Sequence, residues 1–330
     1  MSLLSIIVCT RNPSPFLLPR VLAAVAALRV PAGWTREAVL VDNGSQPPLA
    51  GSDLLRTMMA DCSWFRVITE PRAGLSNARE AGTHATTGEL LVWFDDDNEP
   101  DAGYLDGAVT VAERHPEVLA FGAGRIVVEF TGPVDAWTAR HASGIHQERA
   151  KDAEEFTRAT RFTDCTPFGT GMVTRRAVME YWVRGRGEGR YSLEGRKGLR
   201  LDSGDDSEIL FGAVALGGAV GVSPRLVLRH LIPPARTTLG YLSRLTYATS
   251  GGVLVARREV FGRPGLDPLP GPLAPLKGAR DVLATLRRHG FRAGVIAAAS
   301  WTGAMAGAYQ AHEVPEPWWL RALIATIGVR

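Results

Sequence analysis

The sequence predicts an α/β fold in which helices flank a mostly parallel β-sheet and a helical extension follows at the carboxyl end. Over roughly the first 130 residues, short apolar segments rich in β-branched residues alternate with segments of helical periodicity. From Thr237 onward the pattern is helical, interrupted by a stretch rich in Pro and Gly at 262–275. Of the 330 residues, 45% are apolar and 22% are charged, which is typical of a globular protein.

Strands and helices alternate along the first part of the chain. Strands are predicted at 3–9, 37–41, Phe65–Thr69, 90–94 and 119–130, and helices at 16–28, 53–60, 75–85 and 102–114. Helices of this length between strands indicate right-handed βαβ units.

The middle of the chain is less regular. The segment 135–165 is predicted to be helical or irregular, and 168–174 to be a strand. The segment 181–200, rich in Gly and Arg, is predicted to be a loop. Its six Arg and Lys residues indicate either a clamp for a diphosphate or an anionic acceptor, or a solvated loop.

Polar residues end three of the predicted strands. Thr10, Asp42 and Asp95 each follow an apolar run. Because the carboxyl ends of parallel strands meet at one edge of a sheet, and ligands bind at that edge, we expect these three residues to lie together.

An acidic cluster is the strongest local signal. The apolar residues 91–94 lead directly into Asp95, Asp96 and Asp97. Adjacent carboxylates repel one another, and oxygen ligands suit Mg²⁺ or Mn²⁺, which neutralise a diphosphate. The alternative is a solvated acidic turn that caps the next helix.

Four further residues are candidates with structural alternatives. Asp206 follows Ser203-Gly204 at a predicted helix start, where a carboxylate could act in catalysis or as a cap. Asp42 could bind a ligand or form an Asx turn with Asn43-Gly44. Arg79 could contribute to a binding site or form a surface ion pair. His230, at a strand end, could be a ligand or a structural residue.

Four motifs resemble glycosyltransferase family 2, whose members are inverting enzymes of the GT-A fold. The motifs are SIIVCTRN at 5–12, VLVDNGS at 39–45, GLSNAREAG at 74–82 and the cluster Asp95–Asp97. Downstream, GDDSEI at 204–209 resembles the family's Glu-Asp motif, with Asp205 where Glu is usual. RHLIPPAR at 229–236 resembles a His-x-x-Pro-x-x-Arg stretch, so that the likeness covers about residues 4–250.

The resemblance implies a role for each matching residue. It implies a Rossmann-like GT-A nucleotide-sugar-binding and catalytic domain at 1–235, and the helical pattern that follows predicts a helical region at 236–330. Residues implied to contact the nucleotide sugar are Thr10, Arg11, Asp42, Asn77, Arg79, Asp95 and Asp96. The implied metal ligands are Asp97, Asp95 and His230. Asp206 is implied to be the general base that deprotonates the acceptor.

The implied reaction needs Mn²⁺ or Mg²⁺ and a UDP-, GDP- or dTDP-linked sugar as donor, while the acceptor stays open. One alternative is a sugar nucleotidyltransferase, which would carry a Gly-rich loop after the first strand; Thr10-Arg11-Asn12-Pro13 has no glycine. The other alternative is a non-catalytic module that binds nucleotide sugars or a membrane surface.

Charge and cysteine usage indicate where the protein works. The net charge of +3 gives no reason to expect a nucleic-acid partner, but from Ser207 onward 14 Lys and Arg face only 6 Asp and Glu. Trp301, Trp318 and Trp319 indicate either peripheral contact with a membrane or packing between helices, and a homodimer is a further alternative. Three scattered cysteines predict a cytoplasmic protein, at most peripheral on the inner membrane face.

Overall fold

The computed structural model describes residues 1–195, 203–262 and 267–330. Within them, ten strands form one sheet. The strands are β1 (Ser2–Thr10), β2 (Trp34–Asp42), β3 (Phe65–Thr69), β4 (Leu90–Asp95), β5 (Asn98–Pro100), β6 (Val118–Phe130), β7 (Arg149–Ala150), β8 (Glu155–Thr157), β9 (Val173–Arg175) and β10 (Ala219–Ile232).

The sheet is parallel at its amino-terminal half and mixed beyond it. The strand order is β3-β2-β1-β4-β9-β6-β10-β5, with β7 beside β6 and β8 beside β10. The strands β1 to β4 pair in parallel, as do β6 and β10, whereas β9 is antiparallel to both of its neighbours. The predicted mixed α/β class with a mostly parallel sheet is therefore confirmed.

Helices cover both faces of the sheet. They are α1 (Leu17–Ala26), α2 (Asp53–Asp61), α3 (Leu75–His84), α4 (Tyr104–Arg114), α5 (Ala136–Ile145), α6 (Arg176–Gly187), α7 (Asp205–Ala215), α8 (Leu239–Phe261), α9 (Ala274–His289), α10 (Phe291–Ala311) and α11 (Trp318–Ile327). The two faces of β1 enter separate cores, because Ile6 and Val8 pack with α1 and α4 while Ile7 packs with α3 and α7. Strands buried on both faces explain the continuous apolar runs of the sequence.

Two predicted elements were wrong. The segment 181–200 is not a loop throughout, because α6 continues to Gly187 and buries Val178, Met179 and Trp182 against the second core. Arg196, Lys197 and Arg200 lie outside the described residues. The strand predicted at 168–174 is confined to Val173–Arg175, since 168–172 turns toward α7.

The carboxyl-terminal helices form a third apolar cluster. Trp301 stacks on Trp319 with ring centroids 6.1 Å apart, so these two tryptophans join α10 to α11. Trp318 is 76% exposed. No helix in the described residues is both long enough and apolar enough to cross a membrane. The division of the chain at 235/236 stays a prediction, and α8 packs directly against α7.

Candidate active site

A cleft opens at the carboxyl ends of β1 and β4, as the strand-end residues predicted. Thr10 lies beside Asp42 in the β1–β2 register, and Cys9 lies beside Asp95 in the β1–β4 register. The cleft has a volume of about 650 Å³. Its polar walls come from the segment after β1, the acidic turn after β4 and the segment after β10. The charged residues that line it are Arg11, Asp95, Asp96, Asp97 and Arg236.

Hydrogen bonds fix the acidic turn. Asn98 accepts from the Asp95 backbone N–H over 3.1 Å and donates from Nδ2 to Asp97 Oδ1 over 2.7 Å. Thr10 donates its hydroxyl to Asp96 Oδ2. Burial, and then the negative charge of Asp97, raises the pKa of Asp96 to about 7, against the opposing hydrogen bond from Thr10. The cleft therefore concentrates negative charge that a cation would relieve.

Asp97 and His230 present a site that suits a divalent ion. His230 donates from Nδ1 to the carbonyl of His146 over 2.8 Å, so the lone pair of the neutral ring is on Nε2. That Nε2 is 3.6 Å from Asp97 Oδ1, and both side chains are buried. Among the described residues, no three His, Cys, Asp or Glu side chains form a metal-binding group. Asp97 and His230 are two ligands of suitable chemistry, and an ion held by them would take its other ligands from a diphosphate and water, as Mg²⁺ commonly does.

Arg236 covers the second oxygen of Asp97. This arginine ends a short 3₁₀ helix, Pro234–Arg236, and donates from Nη1 to Asp97 Oδ2. The Asp97 side chain is buried, whereas the Arg236 side chain is 26% exposed and lines the cleft. Arg236 is the last residue of the RHLIPPAR motif, but the sequence predicted no role for it.

Asp42 is buried at the end of β2 and organises the turn that follows. Its Oδ1 accepts from the Ser45 backbone N–H over 2.9 Å, and its Oδ2 accepts from that of Leu49 over 3.0 Å. Neighbouring Asn43 lines the cleft and accepts from the Gly74 backbone N–H over 2.8 Å. Asp42 thus stabilises the cleft wall, and its contact with a nucleobase stays a prediction.

Arg11 and Asn77 occupy different environments. Arg11 is exposed at the cleft wall. Asn77, near the start of α3, accepts from Arg186 Nη2 over 2.9 Å and donates to the Ala73 carbonyl over 3.2 Å. It therefore ties α3 to α6, and a direct contact with the donor stays a prediction.

A second cavity holds Asp206. Its volume is about 510 Å³, and it shares Leu75 and Asp95 with the cleft. Asp206 lies in the first turn of α7, where its Oδ1 accepts from the Ser207 backbone N–H over 2.8 Å and its Oδ2 from that of Gly169 over 3.2 Å. The helix N-terminus and two backbone donors hold the carboxylate in one orientation.

The amino-terminal end of α7 depends on a close approach between backbones. Gly204 precedes the helix with φ +124°. A Cβ at Gly204 would come within 2.9 Å of the Gly252 carbonyl of α8, and one at Gly252 within 1.8 Å of the Ser203 carbonyl. Glycine is therefore required at both positions for α8 to form the wall of the cavity.

Arg79 and Asp205 form a buried ion pair beside Asp206. Arg79 Nη1 donates to Asp205 Oδ2, and both side chains are at most 5% exposed. Both residues line the Asp206 cavity rather than the cleft. Asp205, which stands where the family motif has Glu, therefore keeps a carboxylate for Arg79. Contact of Arg79 with the nucleotide stays a prediction.

The surroundings make Asp206 a stronger base than an exposed carboxylate. Burial, and then the charge of Asp205, raises the pKa of Asp206, while Arg79 and the two backbone N–H donors lower it. Asp206 is therefore a buried carboxylate of raised pKa in a cavity large enough for part of a small molecule.

Several residues of the site were missed by sequence reasoning. Gly169 and His146 act through backbone groups, which leave no side-chain signal. Asn98, adjacent to the acidic cluster, could have been found as a local hydrogen-bonding partner. Phe168 lines the cavity of Asp206, but it lay within a segment predicted to be a strand.

Fold and site define an α/β protein with an acidic cleft at the strand ends, next to a cavity that holds the buried carboxylate of Asp206. The sequence profile described as Glycosyl transferase family 2 matches residues 5–182. The match covers more than half of the chain, so the protein belongs to glycosyl transferase family 2, as the four motifs predicted. No curated protein sequence matches the chain.

Three solved structures are similar to the chain. The crystal structure of GalNAc-T7 with UDP, GalNAc and Mn²⁺ is 17% identical, with a TM-score of 0.50, 85% coverage of this chain and 54% of that one. Structures of S. aureus TarS 1–349 alone and with UDP-GlcNAc are 16% and 15% identical, with TM-scores of 0.47 and 0.48. Both cover 98% of this chain, and 83% and 84% of the TarS chains. At 17% identity, the similarity to GalNAc-T7 shows the fold alone, which is GT-A.

Proposed function

We propose that this glycosyltransferase moves a sugar from a nucleoside-diphosphate donor to an acceptor hydroxyl in one inverting displacement. In this proposal Asp206 is the general base, and Asp97 and His230 hold Mn²⁺ or Mg²⁺. The observation that carries it is the shared wall at Leu75 and Asp95, which joins the acidic cleft to the cavity of Asp206. A donor in the cleft would then present its anomeric carbon to an acceptor in the cavity.

The diphosphate would lie over the acidic turn. Asp97 and His230 provide oxygen and nitrogen ligands for the divalent ion. When bound there, the ion would supply positive charge to the departing diphosphate. Arg11 and Arg236 line the same cleft and would offer guanidinium groups to the phosphates. Thr10, Asp95 and Asp96 would border the ribose and the sugar.

The acceptor would enter the cavity of Asp206. Its hydroxyl would give its proton to Asp206 as its oxygen forms the bond to the anomeric carbon and the bond to the diphosphate breaks. Because one displacement occurs, the anomeric configuration inverts, and one carboxylate is sufficient. The remaining cavity walls include Phe162, Phe168 and Leu245, which would contact the body of the acceptor.

A thermal-shift panel of UDP-, GDP- and dTDP-sugars, each with and without Mn²⁺, tests this proposal. The matching donor at about 100 times its dissociation constant should stabilise the fold by about 2.7 kcal/mol, and Mn²⁺ should increase the shift. Asp97→Asn should lose the Mn²⁺ increment, whereas Glu180→Gln, an exposed control on α6, should keep it.

Product analysis with the same donors distinguishes a transferase from the two alternative functions. Slow release of nucleoside diphosphate from the matching donor indicates a transferase. Stabilisation without any release, in the presence of a broad set of acceptors, indicates a binding module. Formation of pyrophosphate in the presence of a sugar phosphate and a nucleoside triphosphate indicates a nucleotidyltransferase and overturns the proposal.

The carboxyl-terminal helices support a second proposal, peripheral binding to an anionic membrane. On α9, Leu276 and Leu283 are 69% and 48% exposed and lie seven residues apart on one face. Arg280 and Arg287 follow them by four residues each, next to them on the helix surface. Leucines flanked by cations are typical of helices that lie in the headgroup region of anionic bilayers.

Co-sedimentation with vesicles tests this second proposal. Binding to phosphatidylglycerol-containing vesicles but not to phosphatidylcholine vesicles is expected, with a loss of about tenfold or more in Leu276→Glu/Leu283→Glu. Leu216→Glu, an exposed leucine after α7, should bind normally. A concentration-dependent dimer that the α9 variant abolishes, without any vesicle binding by the wild type, would assign this face to a second subunit instead.

A further inference from the structure

Arg236 is bound to the carboxylate that would hold the divalent ion. Asp97 receives hydrogen bonds on both oxygens: Asn98 donates to Oδ1 over 2.7 Å, and Arg236 donates to Oδ2. His230 Nε2 also faces Oδ1, at 3.6 Å. An ion held by Asp97 and His230 would therefore lie next to a guanidinium group that already neutralises Asp97, and the two positive charges would repel.

Arg236 has a second partner within the same cleft once a donor is bound. It lines the cleft, and its side chain is 26% exposed there. It lies in the short segment between β10 and α8, outside the sheet. A guanidinium group binds phosphate oxygens in a bidentate manner, so a diphosphate over the acidic turn would offer Arg236 a replacement for Asp97.

We propose that Arg236 is an exchangeable counter-ion that neutralises Asp97 in the free enzyme and moves to the donor diphosphate when a divalent ion takes Asp97. The inference rests on the proposed function, because it needs a diphosphate in the cleft. It assigns Arg236 two alternative partners, Asp97 and the diphosphate, which the sequence motif does not provide.

The exchange makes the binding of metal and diphosphate mutually dependent. With metal alone, Arg236 would lose Asp97 and would have no phosphate to bind in its place. Diphosphate alone draws Arg236 away and leaves the carboxylates of Asp96 and Asp97 without their cation. Because both costs vanish when the two ligands bind together, each should tighten the binding of the other by the same factor.

Mn²⁺ binding, followed by the electron paramagnetic resonance signal of free Mn²⁺ with and without saturating UDP, measures this dependence. In the wild type, UDP should tighten Mn²⁺ binding by about tenfold or more. In Arg236→Gln, Mn²⁺ alone should bind about fivefold more tightly than in the wild type, and the effect of UDP should fall to about twofold. Arg236→Lys, which keeps the charge, should lie between them.

Arg11→Gln is the matched control, because Arg11 is a second, exposed arginine that lines the same cleft. It should weaken UDP binding while leaving the affinity for Mn²⁺ alone unchanged. Weaker or unchanged binding of Mn²⁺ alone in Arg236→Gln overturns the exchange. If the wild type binds UDP and transfers sugar but binds no Mn²⁺ with or without UDP, the exchange is also wrong, while the transferase function stands without a metal.

Discussion

Replacing Asp206 by Asn should lower the rate of sugar transfer by about 10³-fold and leave the dissociation constant of the donor within about twofold of the wild-type value. The amide keeps the shape of the side chain, and its single oxygen can accept from the backbone N–H of Ser207 or from that of Gly169, but not from both. It cannot take a proton from the acceptor. The rate constant is measured with the donor found in the thermal-shift panel, and the dissociation constant by calorimetry.

The pH dependence of the rate gives an independent check on Asp206. Burial and the charge of Asp205 raise its pKa, and a general base acts only when ionised. Transfer by the wild type should therefore increase as the pH rises through the pKa of Asp206, and the residual activity of Asp206→Asn should lack this limb. Glu180→Gln should retain both the rate and the profile. A near wild-type rate in Asp206→Asn would rule out this residue as the base.

Arg79→Met should destabilise the free protein by about 3–5 kcal/mol, because it leaves the buried carboxylate of Asp205 without its cation. The substitution should also shift the rise of the transfer rate with pH to higher pH, because Arg79 lowers the pKa of Asp206. Denaturant unfolding at constant pH measures the first effect, and the rate profile measures the second.

Two further variants distinguish two causes of the expected destabilisation, the unpaired charge of Asp205 and the loss of packing around Arg79. Arg79→Met combined with Asp205→Leu should recover part of the stability, because both partners of the buried pair are then apolar. Arg29→Met breaks an exposed pair with Asp106 and should cost less than about 1 kcal/mol. If Arg79→Met costs no more than Arg29→Met, the buried ion pair does not support the site as described.

The sheet was predictable because its strands are buried on both faces. Phe65–Thr69 was predicted at its observed bounds, and the predicted helix at 75–85 corresponds to Leu75–His84. The helix α6 was missed because its last four residues, 184–187, alternate Arg and Gly, while the apolar periodicity appears only on its buried face, with Trp182. Tertiary burial outweighed local composition there.

The candidate site was predictable where strand ends define it. Thr10, Asp42 and Asp95 meet at one edge because parallel register aligns their strands. Contacts between distant segments were not predictable. The pairs Arg79–Asp205 and Asp97–Arg236 join residues 126 and 139 positions apart. Their partners depend on how α7 and β10 fold back against the sheet, which no local pattern specifies.

The anomeric configuration of the sugar released from the donor tests the central claim most directly. Slow hydrolysis of the matching α-linked donor, followed by proton NMR before the sugar mutarotates, reports the stereochemistry without any knowledge of the natural acceptor. A single displacement opposite the departing diphosphate predicts the β anomer as the first product. Initial release of the α anomer would contradict the account.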